Sequence, residues 1–236
     1  MNLKITKFRG NSEITSFDEF RFFTGITDTG LLNTVFGGCT SLKELTVPEG
    51  ITRLGYDCFS GLTSLEKVNI PNSLVYIDNA NVFLNCNLKS FEAYGPLEYI
   101  GGSTFRNNKN LVSCIIPNAV ITLLENNLFQ GCGSLESFDI PETVTSIGGA
   151  CFNGCSTLKH LVIPERVTRI RYAAFGGCLS MEYFILLSVT PPALENQDAF
   201  SNTNNCPIYV PATSVSAYKT ATNWSNYASR IQAIPD

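Results

Sequence analysis

The sequence contains little charge, a single histidine and no long apolar run. Charged residues make up 15% of its 236 residues, against roughly 25% in typical soluble domains. A net charge of −4, with no visible basic stripe, excludes a nucleic-acid binder, which must neutralise phosphates. The longest apolar run, Tyr183 to Leu187, is far shorter than the roughly 20 residues of a membrane-spanning helix. We therefore predict neither nucleic-acid binding nor a membrane span.

The scarcity of histidine also argues against catalysis. Acid–base and nucleophilic sites usually place a histidine beside serine, cysteine or aspartate, whereas His160 is predicted on the exposed face of a strand beside Lys159. No glycine-rich phosphate loop is present. The cysteines of Cys151-Phe-Asn-Gly-Cys155 have the wrong spacing for a zinc knuckle and no histidine nearby. We predict no catalytic residue, no metal site and no cofactor.

A phenylalanine, a Gly-Cys-like pair, a leucine and a proline recur together about every 23 residues. Clear copies are Phe36-Gly-Gly-Cys-Thr-Ser-Leu-Lys-Glu-Leu-Thr-Val-Pro48 and Phe152-Asn-Gly-Cys-Ser-Thr-Leu-Lys-His-Leu-Val-Ile-Pro164. The phenylalanines are Phe36, Phe59, Phe83, Phe105, Phe129, Phe152, Phe175 and Phe200. Self-similarity of this period predicts a solenoid, in which each repeat buries its apolar face against its neighbours.

Within each repeat, the alternation of apolar and polar residues before the proline predicts a short strand with one buried face. In one copy the inward positions are Leu158, Leu161 and Ile163. Proline then ends the strand because it donates no backbone hydrogen bond. In the following segment, Pro141-Glu-Thr-Val-Thr-Ser-Ile-Gly148, we expect Val144 and Ile147 to point inward and Gly148 to allow a sharp turn. A turn or a single helical turn should lead to the next phenylalanine.

Most of the nine cysteines share one slot, three residues after the phenylalanine. Cys39, Cys86, Cys132, Cys155 and Cys178 occupy it, and Leu62 and Asn108 fill it in other copies. A slot that also accepts leucine indicates a small buried position. Neighbouring strands lie about 4.8 Å apart, which exceeds the Cβ separation of most disulfides. We predict buried free thiols there and leave a bridge among Cys58, Cys114, Cys151 and Cys206 open.

The repeats Phe-x-Gly-Cys-x-x-Leu and Ile-Pro-x-x-Val-x-x-Ile-Gly resemble the BspA-like form of the leucine-rich repeat family, from about Thr24 to Pro211. The resemblance implies a β-rich, right-handed, curved solenoid with one short parallel strand per repeat. We expect one continuous domain: an N-terminal cap at 1–30, the solenoid at 31–211 and a C-terminal cap at 212–236. Two aromatic clusters should shield the ends of the array: Phe17, Phe20, Phe22 and Phe23, and Tyr218, Trp224 and Tyr227.

The side chains between the buried strand positions should lie together on the other, concave face of the sheet. Late in the array this face collects His160, Val162, Tyr183 and Ile185. Exposed apolar groups often mark interaction sites, and tyrosine favours interfaces. Ile115 and Asp139 complete the candidate ligand-binding residues, although Ile115 also fits an isolated surface residue. The alternative interpretation is that the segment after Pro191 folds over the late patch and buries it.

The resemblance implies a surface adhesion protein of host-associated bacteria, and so a monomeric, non-catalytic module that recognises a host protein or glycan. A structural spacer within a larger surface protein and a cytosolic interaction scaffold are the alternatives. The first residues, Met-Asn-Leu-Lys-Ile-Thr-Lys, lack the apolar segment of a secretory signal. Either the protein is cytosolic or a leader has been removed, and we expect a cell-surface or secreted location.

Overall fold

The computed structural model describes residues 8, 10–17, 36–78 and 80–235. Over these ranges the chain forms a parallel β-solenoid of about eight turns spaced by about 23 residues, which confirms the predicted fold class. The strands are β1 (Glu44–Thr46), β2 (Arg53–Leu54), β3 (Lys67–Asn69), β4 (Tyr76–Ile77), β5 (Ser90–Glu92), β6 (Tyr99–Ile100), β7 (Ser113–Ile115), β8 (Leu123–Leu124), β9 (Ser146–Ile147), β10 (His160–Ile163), β11 (Arg169–Ile170), β12 (Tyr183–Leu186), β13 (Ala193–Leu194), β14 (Ile208–Val210) and β15 (Ile231–Ala233). One helix, α1, spans Val215–Thr220, and 3₁₀ turns span Ala212–Ser214 and Trp224–Tyr227.

Most turns contribute one strand to the same side of the solenoid. We call these strands the first ladder: β1, β3, β5, β7, β10, β12, β14 and β15. Its strands form three parallel sheets, β1 with β3, β5 with β7, and β10 with β12, β14 and β15. The register is one repeat, so that β10 pairs with β12 through His160–Tyr183 and Val162–Ile185. Along β10, Leu161 and Ile163 are buried whereas His160 and Val162 are exposed. This is the alternation predicted from the sequence. The first ladder therefore presents one face to the core and one to solvent.

A second ladder, which the sequence did not predict, lies along another side of the solenoid. It consists of two-residue strands: β2, β4 and β6 pair in sequence, as do β8, β9, β11 and β13. Ile147 of β9 is buried and pairs with Ile170 of β11. Val144 and Ile147 thus point inward as expected, but the segment after the proline contains a strand before it turns.

Gly148 has a different role from the one predicted. Its backbone is not left-handed, so the turn itself does not require glycine. A Cβ atom at this position would lie 2.5 Å from the carbonyl carbon of Glu125 and 2.7 Å from the carbonyl oxygen of Leu124. Gly101, in an equivalent position, is crowded by the carbonyl oxygen of Asp78. Glycine is needed here because the backbones of neighbouring turns approach closely.

The core is organised around a column of phenylalanine rings, one from each turn. Phe129, Phe152 and Phe175 are fully buried, and their successive ring centroids are 5.4 and 5.8 Å apart with nearly parallel planes. The column continues to Phe36 in one direction and to Phe200 in the other. Offset stacking at these distances is favourable for aromatic pairs. The recurring phenylalanine thus holds the turns in register.

Aromatic side chains pack on both ends of this column. Phe17 lies 5.6 Å from Phe36, centroid to centroid, whereas Phe20, Phe22 and Phe23 lie outside the described residues. At the other end Trp224 is buried 5.4 Å from Phe200 and donates a hydrogen bond from Nε1 to the carbonyl oxygen of Pro192. The segment from 212 onward also contributes β15, which pairs with β14 and extends the first ladder.

All nine cysteines are buried free thiols, as predicted for the shared slot. The bridge left open among Cys58, Cys114, Cys151 and Cys206 does not form. In the shared slot the thiols of Cys86, Cys132, Cys155 and Cys178 each donate a hydrogen bond to the carbonyl oxygen of the phenylalanine in the preceding turn. Asn108 occupies the same slot and donates to the carbonyl oxygen of Phe83. The slot therefore links turns as well as filling space.

Candidate binding face

The four late residues predicted as a patch lie together on the solvent face of the first ladder. The rings of His160 and Tyr183 are stacked, with centroids 5.4 Å apart and planes 13° from parallel. Beside them Val162 is 42% exposed and Ile185 is half-buried. The register of β10 against β12 produces this arrangement, because residues one repeat apart become direct neighbours.

The C-terminal segment does not cover these residues. Instead of folding across the face, it adds β14 and β15 beside β12 and so widens the sheet. The alternative interpretation, in which the segment after Pro191 buries the patch, is therefore wrong. His160 and Val162 remain exposed in the part of the chain that the structure describes.

Tyr209 on β14 is a member of the patch that the sequence analysis missed. It pairs with Ile185, and its ring centroid is 6.1 Å from that of Tyr183. The alternation in Ile208-Tyr209-Val210, with both aliphatic residues buried, could have placed Tyr209 on the solvent face. We call His160, Val162, Tyr183, Ile185 and Tyr209 the aromatic strip.

The other two predicted residues, Ile115 and Asp139, lie in a separate groove earlier on the same face. The groove measures about 630 Å³ and lies between β7 with the residues after it and the segment 137–143. Ile115 is 42% exposed and Asp139 is exposed. We call this the acidic groove, because Asp139 and Glu142 are the charged residues that line it. The structure does not unite these two residues with the aromatic strip.

The early part of the face is polar, and its charged side chains pair with one another. Lys67 donates a hydrogen bond to Glu44, with Nζ and Oε1 2.6 Å apart, and Asn69 also donates to Glu44. The hydrogen bond from Lys67 is the main cause of the lowered pKa of Glu44. Both side chains of the ion pair are largely exposed, and such pairs contribute little to stability. This region lacks the apolar surface of the aromatic strip.

No group of three or more His, Cys, Asp or Glu side chains within the described ranges is placed to hold a metal ion. His160 contacts the ring of Tyr183, its neighbour on β12. Burial raises the pKa of Cys86, Cys132 and Cys178 to about 12, which keeps these thiols protonated and weakly nucleophilic.

Among the described residues, none of the helices is long and apolar enough to cross a bilayer. A comparison with curated proteins gives no match. Among solved structures, the chain is similar to a leucine-rich repeat protein from Bacteroides ovatus, with 23% identity and a TM-score of 0.58. The alignment covers 85% of this chain and 56% of that protein. The likeness shows the fold, and the chain spans little more than half the length of that relative.

Two further structures are more distant. A leucine-rich cell surface protein from Faecalibacterium prausnitzii is 20% identical, with a TM-score of 0.43 over 97% of this chain and 72% of that one. The pneumococcal vaccine antigen PcpA is 12% identical, with a TM-score of 0.49 over 84% of this chain and 67% of that one. The family model described as the BspA type leucine-rich repeat region matches residues 20–80 and 79–207 in six copies. These copies span most of the solenoid, and the chain belongs to the BspA-type leucine-rich repeat family.

Proposed function

We propose that this chain is the recognition module of a bacterial cell-surface or secreted protein and binds a host protein or glycan through the solvent face of the first ladder. The observation that carries the proposal is the uncovered aromatic strip. Val162 is 42% exposed next to the stacked rings of His160 and Tyr183. Exposed apolar groups on a soluble protein often mark a binding site, and tyrosine is enriched among the residues that dominate binding energy.

The shape of the strip also supports a binding role. Its residues come from three adjacent strands, β10, β12 and β14, so a rigid sheet holds them in place. A preformed surface loses little conformational entropy on binding. The repeats that form the acidic groove directly precede those that form the strip. Together the two regions provide apolar and charged surface on one face. We therefore assign recognition to the face as a whole, with the chain acting as a monomer.

A cytosolic interaction scaffold is the second candidate, and the cysteines favour it. All nine are free, and unpaired thiols are typical of reducing compartments. Their burial weakens this distinction, because a thiol shielded from oxidants survives in either compartment. Both candidates place binding on the same face and differ in the kind of partner.

The proposal is tested by screening the chain against extracellular-matrix proteins, mucins and a glycan panel. A variant with Val162→Glu, Tyr183→Glu and Ile185→Glu places charge on the aromatic strip. A matched control with Thr122→Glu, Thr145→Glu and Thr168→Glu places three charges at exposed positions near the second ladder. Near-ultraviolet circular dichroism checks that both variants fold.

We expect at least one ligand to bind the parent chain and the control variant but not the folded strip variant. Such a result supports an adhesin-type module whose site includes the aromatic strip. Absence of any extracellular ligand would contradict the proposal and favour a cytosolic scaffold or a structural spacer. A ligand that binds all three proteins equally would place recognition elsewhere on the chain.

A further inference from the structure

The first ladder is interrupted between β3 and β5 and again between β7 and β10, where the acidic groove lies. The segment 137–140 alternates between exposed and buried side chains as a strand does, with Phe138 and Ile140 in the core. It nevertheless makes a single isolated bridge, from Ser137 to Ser113, and forms no ladder with β10. The interruption leaves an extended stretch of backbone at the groove without the regular pairing seen from β10 to β15.

The groove combines apolar contact surface with negative charge. Ile115 projects from β7, and its neighbour across the ladder is Glu92 of β5. On the other side lie Asp139 and, at the end of the groove, Glu142. None of the ion pairs between described residues involves these carboxylates. Ile115 is thus an exposed aliphatic side chain between carboxylates that form no ion pair with a basic side chain of the described residues.

This arrangement is complementary to lysine or arginine. Both residues carry an aliphatic stem that packs on apolar surface and a charged head that seeks carboxylate or water. A stem lying on Ile115 would bring its head towards Asp139 or Glu92. A strand-like peptide also matches the interrupted ladder, because main-chain hydrogen bonds to an open sheet segment are a common mode of peptide recognition.

We propose that the acidic groove binds an extended polypeptide segment that carries lysine or arginine at alternating positions. The inference rests on the proposed function, because it names the partner class for one part of the same face. Basic side chains on one side of the segment contact Ile115, Asp139 and Glu142. The backbone of the segment lies along 137–140, where the regular ladder is absent.

The test uses a fluorescein-labelled peptide of alternating lysine and threonine, with a matched peptide of alternating glutamate and threonine. Binding to the whole chain is measured by fluorescence anisotropy at low and at moderate salt. One variant, Asp139→Asn with Glu142→Gln, removes the groove charges. Its control, Glu49→Gln with Glu165→Gln, removes two exposed charges at the position of Glu142 in other repeats. A third variant, Ile115→Ser, removes the apolar contact and leaves the charge unchanged.

We expect the lysine peptide to bind and the glutamate peptide not to bind. The groove double variant should weaken binding about tenfold or more, and salt should weaken it too. The control double variant should bind almost as well as the parent. Ile115→Ser should also weaken binding, because the stem loses its contact; attraction by net charge alone would not respond to this change.

Three results would overturn the inference: no binding of the lysine peptide, unchanged binding by the groove variants, or equal loss in the control variant. The outcome is separate from that of the ligand screen. A screened ligand that is lost only in the strip variant would sustain the proposed function while the groove inference fails. If the groove binds the lysine peptide but the screen finds no extracellular ligand, the groove inference is supported and the proposed function fails.

Discussion

The thiol of Cys155 donates a hydrogen bond to the carbonyl oxygen of Phe129, at an Sγ–O distance of 3.2 Å. The same oxygen accepts the backbone N–H of Cys132 at 3.0 Å, so it serves one donor from its own turn and one from the next. The thiol hydrogen bond recurs along the solenoid with Cys86, Cys132 and Cys178, and the double acceptance recurs at Phe105 and Phe152. The recurring cysteine is therefore a small buried side chain that also joins adjacent turns.

Comparison of Cys155→Ser with Cys155→Ala should isolate this contribution, because the two replacements have nearly the same size and only serine donates a hydrogen bond. Both lose the sulfur, so both should be less stable than the parent. We expect the serine variant to be more stable than the alanine variant by about 1 kcal/mol. Urea unfolding of the two purified variants measures the difference. Equal stability, or a more stable alanine variant, would show that the slot is governed by volume alone.

The burial of the thiols predicts their reactivity. Burial is the largest cause of the raised pKa at all nine positions, from Cys39 to Cys206. Because the thiolate is the reactive form, the folded protein should react very slowly with a thiol reagent near pH 8. Unfolded, unreduced protein should then titrate as nine thiols. Rapid reaction of several thiols before unfolding, or a clear deficit after it, would contradict the structure.

Much of the fold could be predicted because the repeat shows the same inward positions in every copy. Leu158, Leu161 and Ile163 are all buried, and the register of the first ladder follows from the period. The second ladder could not be predicted in this way, because the two residues of β9 are too few to show an alternation. The reason why position 148 requires glycine could not be predicted either, because the crowding comes from the backbone of the neighbouring turn.

The candidate site, like the fold, could be predicted from the sequence only in part. The late patch was predictable because His160 and Tyr183 are one repeat apart, and a parallel register makes such residues neighbours. Tyr209 was missed because it belongs to the irregular terminal segment. The acidic groove was not predictable as a groove. Ile115 and Asp139 could be placed on one face, but the interrupted pairing at 137–140 is a property of the folded chain.

Gly148→Ala should be strongly destabilising, because the new Cβ atom would meet backbone atoms of Glu125 and Leu124 that cannot easily move. Forcing extra volume into a packed region usually costs about 1–3 kcal/mol, and we expect the upper end of that range. Gly133→Ala is the matched control, since the nearest atom to its Cβ is the hydroxyl oxygen of Ser156 at 3.5 Å. It should change the free energy of unfolding by no more than about 0.5 kcal/mol. Similar losses in both variants would mean that the turns approach less closely than described.

Ala173→Gly should have the opposite effect and stabilise the protein. Ala173 has a φ of 46°, in the left-handed region, and the equivalent positions in other turns hold Asp57, Asn81 and Asn127 with similar φ values. Residues other than glycine are disfavoured in this region because their Cβ atom crowds the backbone. We expect this strain on alanine to outweigh the extra conformational entropy that glycine gives the unfolded chain. We expect a gain of about 0.5–1 kcal/mol, seen as a higher midpoint in thermal and urea unfolding.

Ala193→Gly is the control for this change. Ala193 is an exposed residue of β13 and is not in the left-handed region, so the same chemical change should cost about 0.5–1 kcal/mol. Opposite signs for the two substitutions would establish that local backbone strain decides the outcome. A loss of stability in both would show that the turn before Phe175 accepts alanine without strain, and that the Asp and Asn residues at the equivalent positions are there for their hydrogen bonds.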